Sequence, residues 1–263
     1  MKSKFGGPFV LAGLLSILAA CGGGGGGGFA PTPSSAGGFW QGTVTADAVT
    51  QDTLGVVSET GQFHFLITPD FNNPAPPTQY YGTLTINGNR GTGSFTGLAP
   101  PGTTFADGSV RGTGTLNVTI QQRSKLTATG TFTTANNSTS NVSMTVQYDA
   151  GYEADSSLAT LNGNYTSAAP QSTDVLNLND GQLNYTATTT CNAVGMVSII
   201  DTRYNLYSVD FTYGATGCGA QNALRLQGLL AIDVTASPAQ MIILTHGTLQ
   251  SVPVAVPFAF LKT

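Results

Sequence analysis

The side chains best suited to acid–base chemistry in this 263-residue chain are two histidines, His64 and His246. His64 alternates with Phe63 and Phe65, which predicts a position on the outer face of a strand. His246 precedes a glycine and fits the end of a strand. Neither belongs to a nucleophile elbow, a zinc-binding histidine pair or a glycine-rich phosphate loop. We therefore expect structural or surface histidines in a protein that is not an enzyme.

The carboxylates are scattered along the chain, and their densest group is Asp149, Glu153 and Asp155. These oxygens could ligate Ca²⁺, but those of any acidic loop could do so weakly. The segment Asn177–Gly181 resembles part of a calcium loop, yet Ala187 stands where such a loop needs a glutamate. A hairpin turn is the better interpretation, and we expect neither a metal nor a cofactor.

Cys21 is the third feature with a defined chemistry. It follows a short positive segment with Lys2 and Lys4 and an apolar run over residues 9–20, too short for a transmembrane helix and typical of a secretory signal. The sequence Leu-Ala-Ala-Cys at 18–21 resembles the lipobox of bacterial lipoproteins. The resemblance implies a signal peptide over 1–20, diacylglycerol on the Cys21 sulfur and a fatty acyl chain such as palmitate on its amino group. An ordinary secreted protein is the alternative.

Residues 21–38 form the lipidated cysteine and a tether that is nearly all small residues, with Phe29 its only bulky side chain. Such a segment cannot bury enough apolar surface to offset its ordering entropy, and 17 glycine-rich residues span roughly 23 Å. Gly22 stands where aspartate implies inner-membrane retention in lipoproteins of enteric bacteria. The resemblance therefore implies a lipid anchor in the outer membrane, on either its periplasmic or its surface face.

The composition excludes some partners of the mature chain. Cleavage leaves 7 of the 9 basic residues beside 13 acidic ones, a formal charge near −6. Nucleic acids and anionic lipid surfaces both require basic patches, so we expect neither as a partner and membrane contact only through the lipid on Cys21. The protein or small molecule that the folded part binds is not identified by the sequence.

With Cys21 lipidated, two cysteines remain, Cys191 and Cys218. An oxidising compartment and an even remainder predict a disulfide between them. It would close a loop of 28 residues, worth about 3.6 kcal/mol in the chain-entropy model. Two separate buried thiols are the alternative.

Apolar residues alternate with polar ones through most of the folded part, as in Leu116–Gln121 and Val142–Tyr148. Strands with one apolar face and one solvent-exposed, threonine-rich face are typical of antiparallel meanders. The pattern predicts an all-β fold, with antiparallel meander sheets forming one or two small β-barrels or sandwiches. A transmembrane barrel would instead need an apolar outer band and a polar lumen. Only Glu153–Leu161 indicates a helical turn or two.

The sequence also contains two pairs of segments that resemble each other. Val110–Asp149 aligns with Leu224–Thr263, and Trp40–Thr45 aligns with Leu161–Thr166 in the same order. Two tandem β modules, over 39–150 and 151–263, account for this order. The alternative is that strands of threonine and aliphatic residues look alike without duplication.

A proline-rich stretch over residues 69–79 precedes Tyr80 and Tyr81. Long loops on β scaffolds often carry recognition, and Phe71 with the two tyrosines could form a contact patch. The preferred interpretation is that Phe71 caps the barrel end and that the tyrosines begin a strand.

Cys21, the glycine run 22–28 and the Gly/Thr-rich strands together resemble surface lipoproteins with small paired β-barrels, such as the transferrin-binding-protein-like group. The resemblance implies a host-factor or solute-binding role and supplies no ligand residue. We expect a non-enzymatic envelope protein that acts as a binding or structural module. A lipid-anchored envelope hydrolase is the alternative.

Overall fold

The expected all-β fold is confirmed by the computed structural model, which describes residues 35–68, 77–100, 102–169, 172–187 and 190–263. Sixteen antiparallel strands form two closed barrels of eight, in which each strand pairs with the next along the chain. The first barrel contains β1 (Gly38–Ala46), β2 (Val49–Val57), β3 (Gln62–Thr68), β4 (Thr78–Asn87), β5 (Arg90–Leu98), β6 (Arg111–Gln121), β7 (Lys125–Thr134) and β8 (Thr139–Asp149). The second contains β9 (Gly163–Ser167), β10 (Val175–Asn179), β11 (Gln182–Thr186), β12 (Asn192–Ile199), β13 (Tyr207–Tyr213), β14 (Arg225–Asp233), β15 (Gln240–Leu249) and β16 (Val252–Lys262).

Two-residue turns set the register of several hairpins. Asp180 and Gly181 connect β10 to β11 with φ of 48° and 81°, the left-handed conformation that such turns require. This confirms the hairpin expected at Asn177–Gly181. Gln250 and Ser251 make an equivalent turn between β15 and β16.

The interiors of both barrels are filled by the apolar members of the alternating strands. Trp40 and Phe63 lie inside the first barrel, and Tyr165 and Tyr207 lie inside the second, each at most 2% exposed. Aromatic rings continue this packing inside the first barrel, where those of Phe95 and Phe132 stack with centroids 5.8 Å apart. Each core is therefore a packed interior of side chains.

The segments that align in the sequence occupy equivalent strands of the two barrels. Residues 110–149 contain β6, β7 and β8, and residues 224–263 contain β14, β15 and β16. Val44 on β1 and Tyr165 on β9, which also align, are both buried. The internal similarity therefore matches β1 of the first barrel with β9 of the second, and β6, β7 and β8 with β14, β15 and β16.

The two barrels contact each other through apolar side chains on their outer faces. Val56 and Leu66 of β2 and β3 join one buried cluster with Leu229 and Leu244 of β14 and β15. Tyr152, from the segment that connects the barrels, completes this cluster. The expectation of a uniformly wet outer face is wrong along these four strands, because the second barrel covers that part of the first.

Two short helical turns lie in the connecting segment. The helix α1 at Leu158–Leu161 falls within the expected range Glu153–Leu161, whereas a 3₁₀ turn at Ala150–Glu153 precedes that range. Tyr152 stacks on Tyr204 with ring centroids 4.8 Å apart and donates to Oε1 of Glu59 across 3.2 Å. The side chain of Tyr152 therefore joins the linker to both barrels.

The expected disulfide is confirmed. Cys191 precedes β12, and Cys218 lies in the connection between β13 and β14, beside the 3₁₀ turn Gly219–Gln221. The bond attaches this long connection to the barrel wall.

Candidate binding site

A groove of about 800 Å³ crosses the outer face of the first barrel beside its contact with the second. Strands β3 to β7 form its floor, Thr60 from the turn before β3 contributes to its rim, and His246 of β15 reaches it from the second barrel. The groove is thus a composite surface, since both barrels supply side chains to it. Its volume lies in the range of small-ligand sites.

The floor of the groove consists of two rows of polar side chains that run across the strands. The strand register places in one row Gln62, Thr83, Ser94, Thr115 and Thr131. The same register places in the second row Tyr81, Thr96, Thr113 and Thr133. Neighbouring members of a row are about 4.8 Å apart, the spacing of strands in a sheet, and β-branched threonine restricts the direction of its hydroxyl.

The groove is electrically neutral. Of the described residues that line it, none is an aspartate, glutamate, lysine or arginine. Its hydroxyls each act as donor and acceptor, whereas the side-chain amide of Gln62 offers both groups separately. Such a surface offers hydrogen-bond donors and acceptors and no charged side chain.

One end of the groove is closed by three rings. Tyr81 stacks on His246 with centroids 4.2 Å apart, and His64 lies behind them, 5.2 Å from the ring of His246. Nδ1 of His246 and Nε2 of His64 are 3.3 Å apart, a hydrogen bond whose donor depends on the tautomers. Thr96 in the groove floor is the cross-strand neighbour of Tyr81 on β5.

Burial perturbs the acid–base properties of this end wall. Desolvation, followed by the nearby His246, lowers the pKa of His64 to about 3. Burial also lowers the pKa of His246 and raises the pKa of Tyr81. Both imidazoles are therefore neutral at physiological pH, which allows one to donate to the other without charge repulsion.

The histidine pair does not form part of a recognisable metal centre. The described residues include no group of three or more His, Cys, Asp and Glu side chains arranged to hold an ion. In the acidic group near the linker, Asp149 accepts from the backbone N–H of Gly151, and Glu153 pairs with Arg123 across 3.0 Å. Asp155 is exposed.

Tyr80 and Tyr81 do not form one aromatic patch, because successive residues of β4 point to opposite faces of the sheet. Tyr80 points into the first barrel and packs on Phe95 and Phe132, whereas Tyr81 points outward to the groove. Both tyrosines belong to β4, as the preferred interpretation expected. Phe71 and Cys21, the residue expected to carry the lipid, lie outside the described residues.

Sequence analysis placed His64 correctly on an outer face but missed that His246 covers it. The available signal was a local loss of alternation: residues 63–67, 229–232 and 241–244 are runs with apolar side chains on both faces. A strand of this kind is buried on both sides. The sequence predicted a threonine-rich, solvent-facing side of the strands, but it did not predict the groove that these threonines line.

No protein-family model matches the chain, and no curated protein matches it. The described part of the chain includes no helix of the length and apolarity needed to span a bilayer.

Proposed function

We propose that this protein is a lipid-anchored lipoprotein of the bacterial outer membrane whose two barrels act together as one non-enzymatic binding module. The observation that carries the proposal is the composite groove, because its floor belongs to the first barrel and His246 of its end wall belongs to the second. A binding surface built in this way requires the barrels to be docked. The apolar contact between them provides that docking.

The anchor is proposed from Cys21 and the apolar run before it. Diacylglycerol on its sulfur and an acyl chain on its amino group would hold the protein stably at the membrane. The glycine-rich tether then sets the volume that the module can search, which suits a protein that must reach its partner.

Replacing the anchoring cysteine tests this part of the proposal. Cys21→Ser should move the protein from the membrane fraction to the soluble fraction, and the wild-type mature mass should include the acyl chains. A Cys21→Ser protein that stays membrane-bound, or a wild-type mass without acyl chains, would contradict the anchor.

Binding by the groove is tested with two lysine variants on the same strand. Thr115 lies in the groove floor, and Thr119 is an exposed outward residue of β6 beyond the groove. Full-length Thr115→Lys should lose partners that wild type and Thr119→Lys both retain from envelope extracts or host fluids. Equal retention by all three proteins would show that the groove is not the binding site.

A lipid-anchored envelope hydrolase is the second candidate, and one observation favours it: both histidines meet at one end of the groove. The lowered pKa values make these imidazoles weak bases, and His64 is only 2% exposed, so little of it can reach a substrate. Turnover of a glycan or lipid ester by wild type that disappears in His246→Ala would establish the hydrolase instead.

A further inference from the structure

We infer that the ligand of the groove is a neutral glycan chain laid across β4 to β7, an inference that rests on the binding function proposed above. The groove faces outward from a sheet, its floor carries rows of hydroxyl groups, and its end is closed by the stacked rings of Tyr81 and His246. These three features together select the class of ligand.

The charge of the groove excludes the anionic and cationic alternatives. Recognition of phosphate, sulfate or carboxylate groups uses arginine or lysine, and recognition of cationic groups uses carboxylates or an open aromatic cage. Neither kind of charged side chain is present among the described residues that line the groove. The pKa of His246 is lowered, so its imidazole adds no positive charge at neutral pH.

The hydroxyl rows favour a polyhydroxylated ligand over a peptide. An extended peptide gains most of its affinity from the backbone of a sheet edge, whereas here the sheet presents its face. Thr83, Ser94, Thr113, Thr115 and Thr131 are exposed in the floor. Each threonine presents one hydroxyl and one methyl group, which match the hydroxyl-bearing rim and the C–H face of a sugar ring.

The length of the groove fits a chain rather than a single sugar. One row crosses five neighbouring strands and the other crosses four. The strands lie about 4.8 Å apart, and the volume of the groove is about 800 Å³. One end of such a ligand meets the rings of Tyr81 and His246, and the other end can leave the groove, since the exposed row members open it to solvent. A polysaccharide can therefore bind through a terminal stretch of its chain.

Calorimetry with full-length acylated protein tests the inference, using a detergent without a sugar headgroup. The neutral probes are maltohexaose, cellohexaose and the β-1,4-linked hexamer of N-acetylglucosamine, and the anionic control is an oligogalacturonate. We expect saturable binding of at least one neutral probe that changes little between low and high salt. Absence of neutral binding, or binding of the oligogalacturonate alone, overturns the inference.

Two isosteric variants locate the site. Thr115→Val removes a hydroxyl from the groove, and Thr119→Val removes one from the same face of β6 outside it. Valine suits a strand as well as threonine does, so both variants should fold. We expect a roughly 3- to 10-fold weaker affinity in Thr115→Val, the range of one lost hydrogen bond, and no change in Thr119→Val. Equal affinities contradict the site.

The outcome also separates this inference from the proposed function. If no neutral glycan binds while Thr115→Lys still abolishes capture of a protein partner, the groove is a protein-binding site and only the glycan inference fails. If the groove variants change neither capture nor glycan affinity, both proposals fail.

Discussion

The imidazole of His64 lies at the contact between the two barrel walls, where His246 is its hydrogen-bonding neighbour. Leu66, two residues further along the same face of β3, belongs to the apolar cluster of that contact. Burial favours the neutral form of both rings, because a charged imidazole would lose its hydration there and two charged imidazoles would repel each other. We therefore expect the contact between the barrels to be sensitive to acid.

Acid should destabilise the protein through this pair. The pKa of His64 is about 3 in the folded protein, whereas the ordinary pKa of histidine is near 6.5. The free energy of unfolding is therefore highest above pH 6.5 and decreases as the pH falls from 6.5 towards 3. At pH 5 the free energy of unfolding should be about 2 kcal/mol lower than at pH 7.5 from this residue alone. Urea unfolding at both values should show that loss in wild type and a smaller one in His64→Leu. Identical losses would show that the pair does not sense pH.

The disulfide is the second residue-scale determinant of stability. Reducing Cys191–Cys218 frees the connection between β13 and β14, and the chain-entropy model gives about 3.6 kcal/mol as an upper value for the loss. Thermal unfolding should shift to lower temperature with reductant in wild type, whereas Cys191→Ala/Cys218→Ala should be insensitive to it. Two free thiols in protein isolated from its native cells, or an unchanged midpoint on reduction, would contradict this role.

At the scale of the element, β16 has one side with few strand contacts. It pairs with β15 along its length but reaches β9 only at Phe260–Lys262. On the side away from β15, the carbonyl of Ala255 accepts from Nε2 of Gln79 across 3.1 Å. Residues two apart share a side, so Pro253 and Pro257 lie on this edge, where their missing N–H groups discourage pairing with another chain.

Restoring these donors should promote self-association. The double variant Pro253→Thr/Pro257→Thr adds two N–H groups to the edge, so light scattering should show a concentration-dependent increase in mass relative to wild type. Adding Ala255→Pro to this variant removes a donor from the same edge and should reduce the association. A double variant with the mass of wild type at every concentration would show that the prolines do not protect the edge.

At the scale of the whole molecule, the proposed binding function requires two barrels held side by side. Each barrel is closed and has its own packed interior, so the docked arrangement depends on the outer apolar cluster, the histidine pair and the linker residue Tyr152. A groove with walls from both barrels exists only in that arrangement. The binding function and the contact between the barrels should therefore be lost together.

A charge in the contact should separate the barrels. Leu244 is 1% exposed in the contact, and Thr248 is an exposed residue of the same strand and face. Leu244→Asp should cost on the order of 3 kcal/mol, divide one calorimetric transition into two and increase the radius of gyration in small-angle scattering. Thr248→Asp is the control and should resemble wild type. A single transition with an unchanged radius in Leu244→Asp would contradict the docked arrangement.

Features that depend on local pattern and chemistry were predictable from the sequence. Alternation along Val142–Tyr148 indicated a strand with one buried face, Asp180-Gly181 indicated a tight turn, and the cysteine count indicated the bond between Cys191 and Cys218. Each of these signals is local or compositional: a period of two residues, a turn conformation or an even number of thiols.

Only the tertiary structure decided which outer faces meet. His64 and His246 are 182 residues apart, and neither has a neighbour in the sequence that indicates the other. Threonine at positions 96, 113 and 133 predicts a solvent-facing side of each strand. The strand register aligns these residues in one row, and the second barrel supplies the end wall of the groove through His246. Closure and docking depend on the sum of long-range contacts, which alternation within one strand does not encode.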